Sequence, residues 1–289
     1  MRCACIDIGS NTTRLLVAEQ SGSGLREVAV ERAFTRLGAD REPSEPLSSA
    51  KIAEVAATVA SQVADARSAG AECVIAVATA AIRAAPNASE LLDAVSAASG
   101  VAVRVLTGAE EAQYAFRGAT STLVGDDLVA VADIGGGSTE LVLGTPEDGP
   151  VWWVSLPIGS ARRRAASDPP TAGEIDDWRD AVAGEFAAVT LPDTPLLALA
   201  AGGSASSVYR LVGPELTAAG LSAALELLCS APAADVAART GLDPRRVALL
   251  PGGLVLLEAV GQKFGAPLWA AVGGLREGIL LAEIARLGR

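Results

Sequence analysis

Apolar positions along the chain switch between two periods. Cys3–Ile8 and Leu15–Ala18 are short apolar runs on either side of a polar, glycine-containing turn, and they predict two strands. Ile52, Val55, Val59 and Val63 then recur at helical spacing behind Ser48 and Ser49, and Gly70 closes the predicted helix. Cys73–Ala78 and Val101–Leu106 predict further strands, separated by a short helix near Ser89–Ser99. A helix follows Thr107, Leu128–Ile134 opens a new set of strands, and the alternation continues to a last helix from about Leu275. Strands and helices in alternation predict an α/β fold.

The chain has 289 residues, which suggests two domains rather than one. Half of it is hydrophobic but only 3% is aromatic, so alanine, valine and leucine must fill the interior. Asp7 interrupts the apolar start, and the stretch Leu249–Val260 is broken by Pro251, two glycines and Glu258. Neither reads as a signal peptide or a membrane span, and a soluble, cytoplasmic protein with no membrane partner is expected. A net charge of −11 argues against a nucleic-acid partner. Of 23 cationic side chains only Lys51 and Lys263 are lysines, so anions recognised by side chains meet mostly forked guanidinium groups.

Histidine is absent. That excludes a Ser-His-Asp triad, a histidine base and any histidine-ligated metal, and it leaves proton transfer to Asp and Glu. Any bound metal is then expected to be a hard cation held by oxygen. The four cysteines, Cys3, Cys5, Cys73 and Cys229, follow no metal or redox spacing and are expected to be buried, reduced thiols.

One internal repeat stands out. Asp7-Ile8-Gly9-Ser10-Asn11-Thr12-Thr13-Arg14-Leu15 aligns with Asp133-Ile134-Gly135-Gly136-Gly137-Ser138-Thr139-Glu140-Leu141, sharing Asp, Ile, Gly, Thr and Leu. This predicts two related domains, 1–121 and 122–289, each opening with a strand–turn–strand unit. The boundary falls in the polar stretch Gly118–Asp126, and the helix over about 278–289 is a candidate to pack back on the first domain.

A tight glycine turn directs successive backbone N–H groups into one space, which suits an anion. Gly9, Ser10, Asn11 and Thr12 form one such turn, and Gly135, Gly136, Gly137 and Ser138 the other. Asp7 and Asp133 precede them and could hold Mg²⁺ directly or through water. Arg83 follows a buried strand and reads either as a phosphate ligand or as a solvated surface residue. Thr107 and Glu110 have capping-box spacing, which accounts for Glu110. Glu111 has no such duty, and it reads either as a complement to the helix dipole or as a general base. Glu140 lies on the strand face opposite Leu141 and Leu143, either to orient a water or metal or exposed on an edge strand. Arg162-Arg163-Arg164 is the densest positive spot, and Gly202-Gly203-Ser204 is a weaker candidate for a third phosphate loop opening a helix.

In this order, these residues resemble the exopolyphosphatase and guanosine pentaphosphate phosphohydrolase (Ppx/GppA) family, of the acetate and sugar kinase, Hsp70 and actin superfamily. The matching segments are DIGSNTTRLLV (7–17), ATAAIRAAPN (78–87), TGAEEA (107–112), DIGGGSTELVLG (133–144), SLPIGSARR (155–163), AAGGSASSV (200–208) and GGLREGIL (273–280). The resemblance is to the short two-domain form, which puts processive action on long polymers in question. Thr107-Gly108 and Gly273-Gly274 replace the family's usual Ser-Gly pairs.

The resemblance implies two ribonuclease H-like (actin-like ATPase) domains, with mixed sheets flanked by helices and a cleft between them. It also implies exopolyphosphatase activity, the Mg²⁺-dependent hydrolysis of the terminal phosphoanhydride of inorganic polyphosphate. Glu111 falls on the family's catalytic glutamate, Arg83 on its phosphate-contacting arginine, and Asp133 and Glu140 on acids that orient water and metal. Asp7 and Asp133 would be the metal residues, and Arg14 joins the two turns in holding substrate. Guanosine pentaphosphate or a nucleotide is the alternative substrate, a catalytically weak alarmone-binding regulator the alternative class, and a homodimer one option for assembly.

Overall fold

The computed structural model describes all residues except 23, 39–41, 43, 163–164 and 288–289. The chain divides into two compact units, Met1–Leu123 with Gly273–Arg289, and Val124–Val272.

In the first unit β1 (Arg2–Ile8), β2 (Thr13–Ser21) and β3 (Gly24–Ala33) form an antiparallel meander. Helix α1 (Ser49–Ser68) crosses to β4 (Cys73–Ala78), which lies parallel to β1. Then α2 (Ala80–Arg83) and α3 (Ala88–Ser99) lead to β5 (Val103–Val105), parallel to β4, and α4 (Gly108–Ala119) follows. The sheet order is β3-β2-β1-β4-β5.

The second unit repeats the plan. β6 (Val129–Ile134), β7 (Thr139–Thr145) and β8 (Gly149–Leu156) form the meander. After α5 (Ala172–Ala187), β9 (Leu197–Ala201) lies parallel to β6. Five helices come next: α6 (Gly202–Val212), α7 (Ala218–Leu228), α8 (Ala233–Thr240), α9 (Pro244–Val247) and α10 (Leu250–Phe264). β10 (Leu268–Ala270) completes the order β10-β9-β6-β7-β8, the same succession of strands as in the first unit. Two mixed five-stranded sheets flanked by helices are the ribonuclease H-like architecture. Helix α11 (Leu275–Leu287) returns to pack on α4.

Local chemistry explains these elements. Ser48 caps α1 by accepting from the Lys51 amide at 3.2 Å, and Ile52, Val55, Val59 and Val63 form its buried face. In α4 the Thr107 hydroxyl accepts from the Glu110 amide while the Glu110 carboxylate accepts from the Thr107 amide, completing the capping box. Helices α4 and α11 meet backbone to backbone: a Cβ on Gly118 would stand 2.8 Å from the Gly278 nitrogen, so only glycine fits. One face of the first sheet is buried with α1 and α3, and the other beneath α11 through Cys3, Cys5, Leu16, Ile279, Leu280 and Ile284.

Three expectations need correction. Strand β3 has no counterpart in the pattern reading, because Arg26, Glu27, Glu31 and Arg32 mask the alternation of an edge strand whose outer side is solvated. The run Val101–Leu106 yields only Val103–Val105 as strand, since pairing is confined to Ala76–Ala78 of β4. All four cysteines are free, yet only Cys3 and Cys5 are buried, with Cys73 and Cys229 half-buried. Burial pushes the Cys3 thiol up to about 11 and the Cys5 thiol further. Among the described residues, no helix is long and apolar enough to cross a membrane.

Candidate functional site

The two repeated turns close identically. The Gly9 amide donates to Thr12 O at 3.0 Å, and the Gly135 amide donates to Ser138 O at 3.0 Å. That uses the first N–H of each turn and corrects the expectation that all of them face a ligand. The carbonyls of Ser10 and Asn11 accept from the Gly38 and Arg36 amides, and those of Gly135 and Gly136 accept from the Ser160 and Ala161 amides. With the carbonyls drawn backwards, the amides of Ser10 and Asn11, and of Gly136 and Gly137, have no protein acceptor among the described residues. They remain available to an anion.

In the first unit three candidate segments leave the carboxyl ends of adjacent parallel strands. Ile8 pairs with Ala78 and Ala78 with Val105, so the Gly9 turn, Thr79–Arg83 and Leu106–Glu111 emerge side by side. This is where ligands of open α/β sheets bind. Arg83 ends α2, and its Nη1 donates to Leu106 O at 2.6 Å and to Glu111 Oε1. The Glu111 side chain is only 6% exposed, so the helix-dipole reading does not account for it: the carboxylate is sequestered and ion-paired. The side chain of Arg83 is one-third exposed, and its Nε and Nη2 have no protein partner among the described residues. The guanidinium is therefore pinned at one nitrogen and presents the rest of its fork outward.

Asp7 stands opposite Arg14 in the register of β1 and β2, and Arg14 Nε donates to Thr12 Oγ1 at 3.1 Å. The Asp7 Oδ1 is inaccessible and has no hydrogen-bond partner. Burial raises the Asp7 carboxyl above the ordinary carboxylate range, Arg14 and Arg276 pull it back, and Glu277 adds to the rise. Arg276 and Glu277, from α11, have no role that the local sequence pattern announces. They come from the far end of the chain, and only their place in the GGLREGIL segment could have drawn attention to them.

In the second unit Ala201, Asp133, Glu140 and Ser155 form one row across β9, β6, β7 and β8. Register partners share a face, so the Asp133 and Glu140 carboxylates lie on the same side of the sheet. Glu140 is buried on an interior strand, which overturns its reading as an exposed edge residue. Gly202 has φ +92°, and a Cβ there would stand 2.8 Å from Asp133 Oδ1; glycine thus lets the start of α6 lie against this carboxylate. Behind the turn, Ile158 O accepts from Thr139 Oγ1 at 2.7 Å, and a Cβ on Gly159 would meet the Gly136 carbonyl carbon at 2.5 Å. The segment Ser155–Ala161 is thus a brace for turn and carboxylates alike, a role that no local pattern in the sequence announces.

The implied Mg²⁺ has suitable donors in each unit: the orphaned oxygen of Asp7, and the facing carboxylates of Asp133 and Glu140. Among the described residues no cluster of three or more His, Cys, Asp or Glu gathers. That suits a cation which binds through one or two carboxylates and completes its shell with water and substrate phosphate. Gly202-Gly203-Ser204 does open a helix, α6. Arg162 is exposed, and Arg163 and Arg164 lie outside the described residues.

Residues 16–287 match the Ppx/GppA phosphatase family. The chain is 33% identical over 293 residues to exopolyphosphatase 2 of Mycobacterium tuberculosis, covering 91% of this chain and 90% of that one. It is 27% identical to the guanosine-5'-triphosphate,3'-diphosphate pyrophosphatase of Aeromonas hydrophila, covering 96% of this chain and 58% of that one. Among solved structures, the Ppx/GppA family member of Aquifex aeolicus superposes with a TM-score of 0.80 at 28% identity, covering 100% and 99% of the two chains.

Proposed function

Because the chain belongs to the Ppx/GppA phosphatase family, we propose that it is an exopolyphosphatase that releases the terminal phosphate of inorganic polyphosphate. The observation that carries the reading is the sequestered Glu111 carboxylate beside a half-free arginine fork, in a chain without histidine. Glu111 accepts a proton from a water whose oxygen bonds to the terminal phosphorus. The bridging P–O bond breaks with its electron pair passing to the shortened chain, and orthophosphate leaves.

Arg83 Nε and Nη2 hold the transferring phosphoryl oxygens, while Nη1 keeps Glu111 and Leu106 in place. The amides of Ser10 and Asn11 bind phosphate in the first unit and those of Gly136 and Gly137 in the second, with Arg14 adding positive charge. Asp7 in the first unit and Asp133 in the second would be the residues to hold Mg²⁺, with Glu140 orienting water or metal, and the cation would supply neutralisation of charge on the phosphates.

The name of the Aeromonas relative favours one second reading, the same chemistry on guanosine pentaphosphate. Phosphate release from long-chain polyphosphate with Mg²⁺, run beside guanosine pentaphosphate, separates the two. Polyphosphate is expected to be the better substrate, and Glu111→Gln to lower its turnover by about 10²–10⁴-fold. Near-normal turnover by a folded Glu111→Gln protein would remove Glu111 as the base. A wild-type protein that binds either compound without releasing phosphate would instead be a regulatory binder.

A further inference from the structure

Glu140 is a long, flexible side chain, and its proposed role requires the carboxylate to stay in one orientation. On β7 it is flanked by Asp133 of β6 and Ser155 of β8, each its direct partner in the register. The Ser155 hydroxyl donates to Glu140 Oε1 at 2.7 Å. Glu140 is 2% exposed, and in such surroundings a hydrogen bond to a charged oxygen is stronger and more directional than in water. The neighbour on the other side is a carboxylate, and like charges directly opposite on a sheet repel. A donor on β8 both offsets that repulsion and turns Oε1 away from free rotation.

We propose that Ser155 is a positioning residue: its hydroxyl occupies Glu140 Oε1 and so fixes the orientation in which the carboxylate meets water or metal. The inference rests on the hydrolase reading above. Ser155 is suited to the task because β8 continues directly into the brace. Ile158 is held to Thr139, and Gly159 and Ser160 abut the second turn, so the hydroxyl and that turn move as one body. An alanine at 155 would keep the strand and its pairing and lose only the donor. A threonine would keep the donor and suit a strand through its branched Cβ.

The test combines kinetics with crystallography. Ser155→Ala is expected to lower kcat on polyphosphate about tenfold with KM within about twofold of wild type, the size of one charge-assisted hydrogen bond. Ser155→Thr is expected to restore most of the loss. On a Glu140→Gln background Ser155→Ala should cost little more, because residues that act through one another are not additive. An equal tenfold loss on that background, or a Ser155→Ala protein that matches wild type, would overturn the proposal.

Crystal structures of wild type and Ser155→Ala supply a readout free of activity. A Glu140 carboxylate that rotates away when the hydroxyl is removed supports the role, and an unmoved one overturns it. Absence of phosphate release by wild type would defeat the hydrolase reading alone, and the crystallographic comparison would still decide whether Ser155 positions Glu140.

Discussion

Arg14 and Glu140 occupy the same place in the duplicated strand–turn–strand unit and carry opposite charge. Each stands directly across a strand pair from the aspartate that precedes the glycine turn, Arg14 opposite Asp7 and Glu140 opposite Asp133. The backbones of the two turns match down to the closing hydrogen bond, so the side chain opposite the aspartate sets the electrostatics. In the first unit a guanidinium eases the ionisation of Asp7. In the second, two carboxylates share a face and Ser155 donates to one of them. The equivalent position thus sets a guanidinium opposite Asp7 in one unit and a second carboxylate opposite Asp133 in the other.

Arg83 holds Leu106 O and Glu111 and, on the proposed function, also phosphate; substitution should separate the two. Arg83→Lys keeps the charge but cannot both hold Leu106 O and Glu111 and present a fork, so KM should rise about tenfold or more with a smaller change in kcat. Arg83→Ala should lower both kcat and affinity for substrate. Steady-state kinetics on polyphosphate would reject the double role if Arg83→Lys left KM unchanged.

Two glycine-to-alanine changes should be distinguishable by their consequences. At Gly159 a Cβ meets the backbone of the second turn, and at Gly118 it meets the backbone of Gly274 and Gly278. Each is expected to cost about 1–3 kcal/mol by overpacking, measured as a lower urea midpoint. Gly159→Ala should also raise KM for polyphosphate, because its clash displaces the amides of Gly136 and Gly137. Gly118→Ala should leave KM near wild type.

If Asp7 holds a cation, as the proposed function requires, the metal-free protein carries a cost. Its buried, unpartnered Oδ1 destabilises the metal-free state, so Asp7→Asn should raise the metal-free melting temperature, by about 2–4 °C if the gain is near 1 kcal/mol. Mg²⁺ should raise the melting temperature of wild type and do little for Asp7→Asn. Thermal melts with and without Mg²⁺ would contradict this if both proteins responded equally.

Glu174 predicts an acid-sensitive contact in the second unit. Hydrogen bonds from Ser167, the Thr171 amide and the Ala166 amide hold its carboxyl down to about 2. A folded-state value below the unfolded one gives stability that is present above about 4.5, the unfolded value. It is lost as the pH falls towards 2. Glu174→Gln should therefore lower the urea midpoint at pH 6 more than at pH 3, and an equal loss at both would refute the linkage.

Much of this site was legible because its parts are contiguous in sequence. A strand–glycine turn–strand unit needs only its own residues to close, and Thr107 and Glu110 cap α4 within one turn, so duplication and capping could be read directly. The absence of histidine leaves a carboxylate as the candidate base, and that much is read from composition alone.

What remained hidden depends on register and on long-range approach. Glu140 reads equally well as exposed or buried until β8 covers its strand, and a strand's place in a sheet is decided by pairing rather than by its own pattern. Arg83 reads equally well as surface or site until Leu106 and Glu111, more than twenty positions away, are brought to the neighbouring strand end. Ser155, Gly159 and Arg276 follow the same logic. The chain by itself determined which chemical groups are present and how each turn and helix begins. The tertiary structure decided which of those groups face one another, because burial and hydrogen bonding act between residues that local periodicity cannot relate.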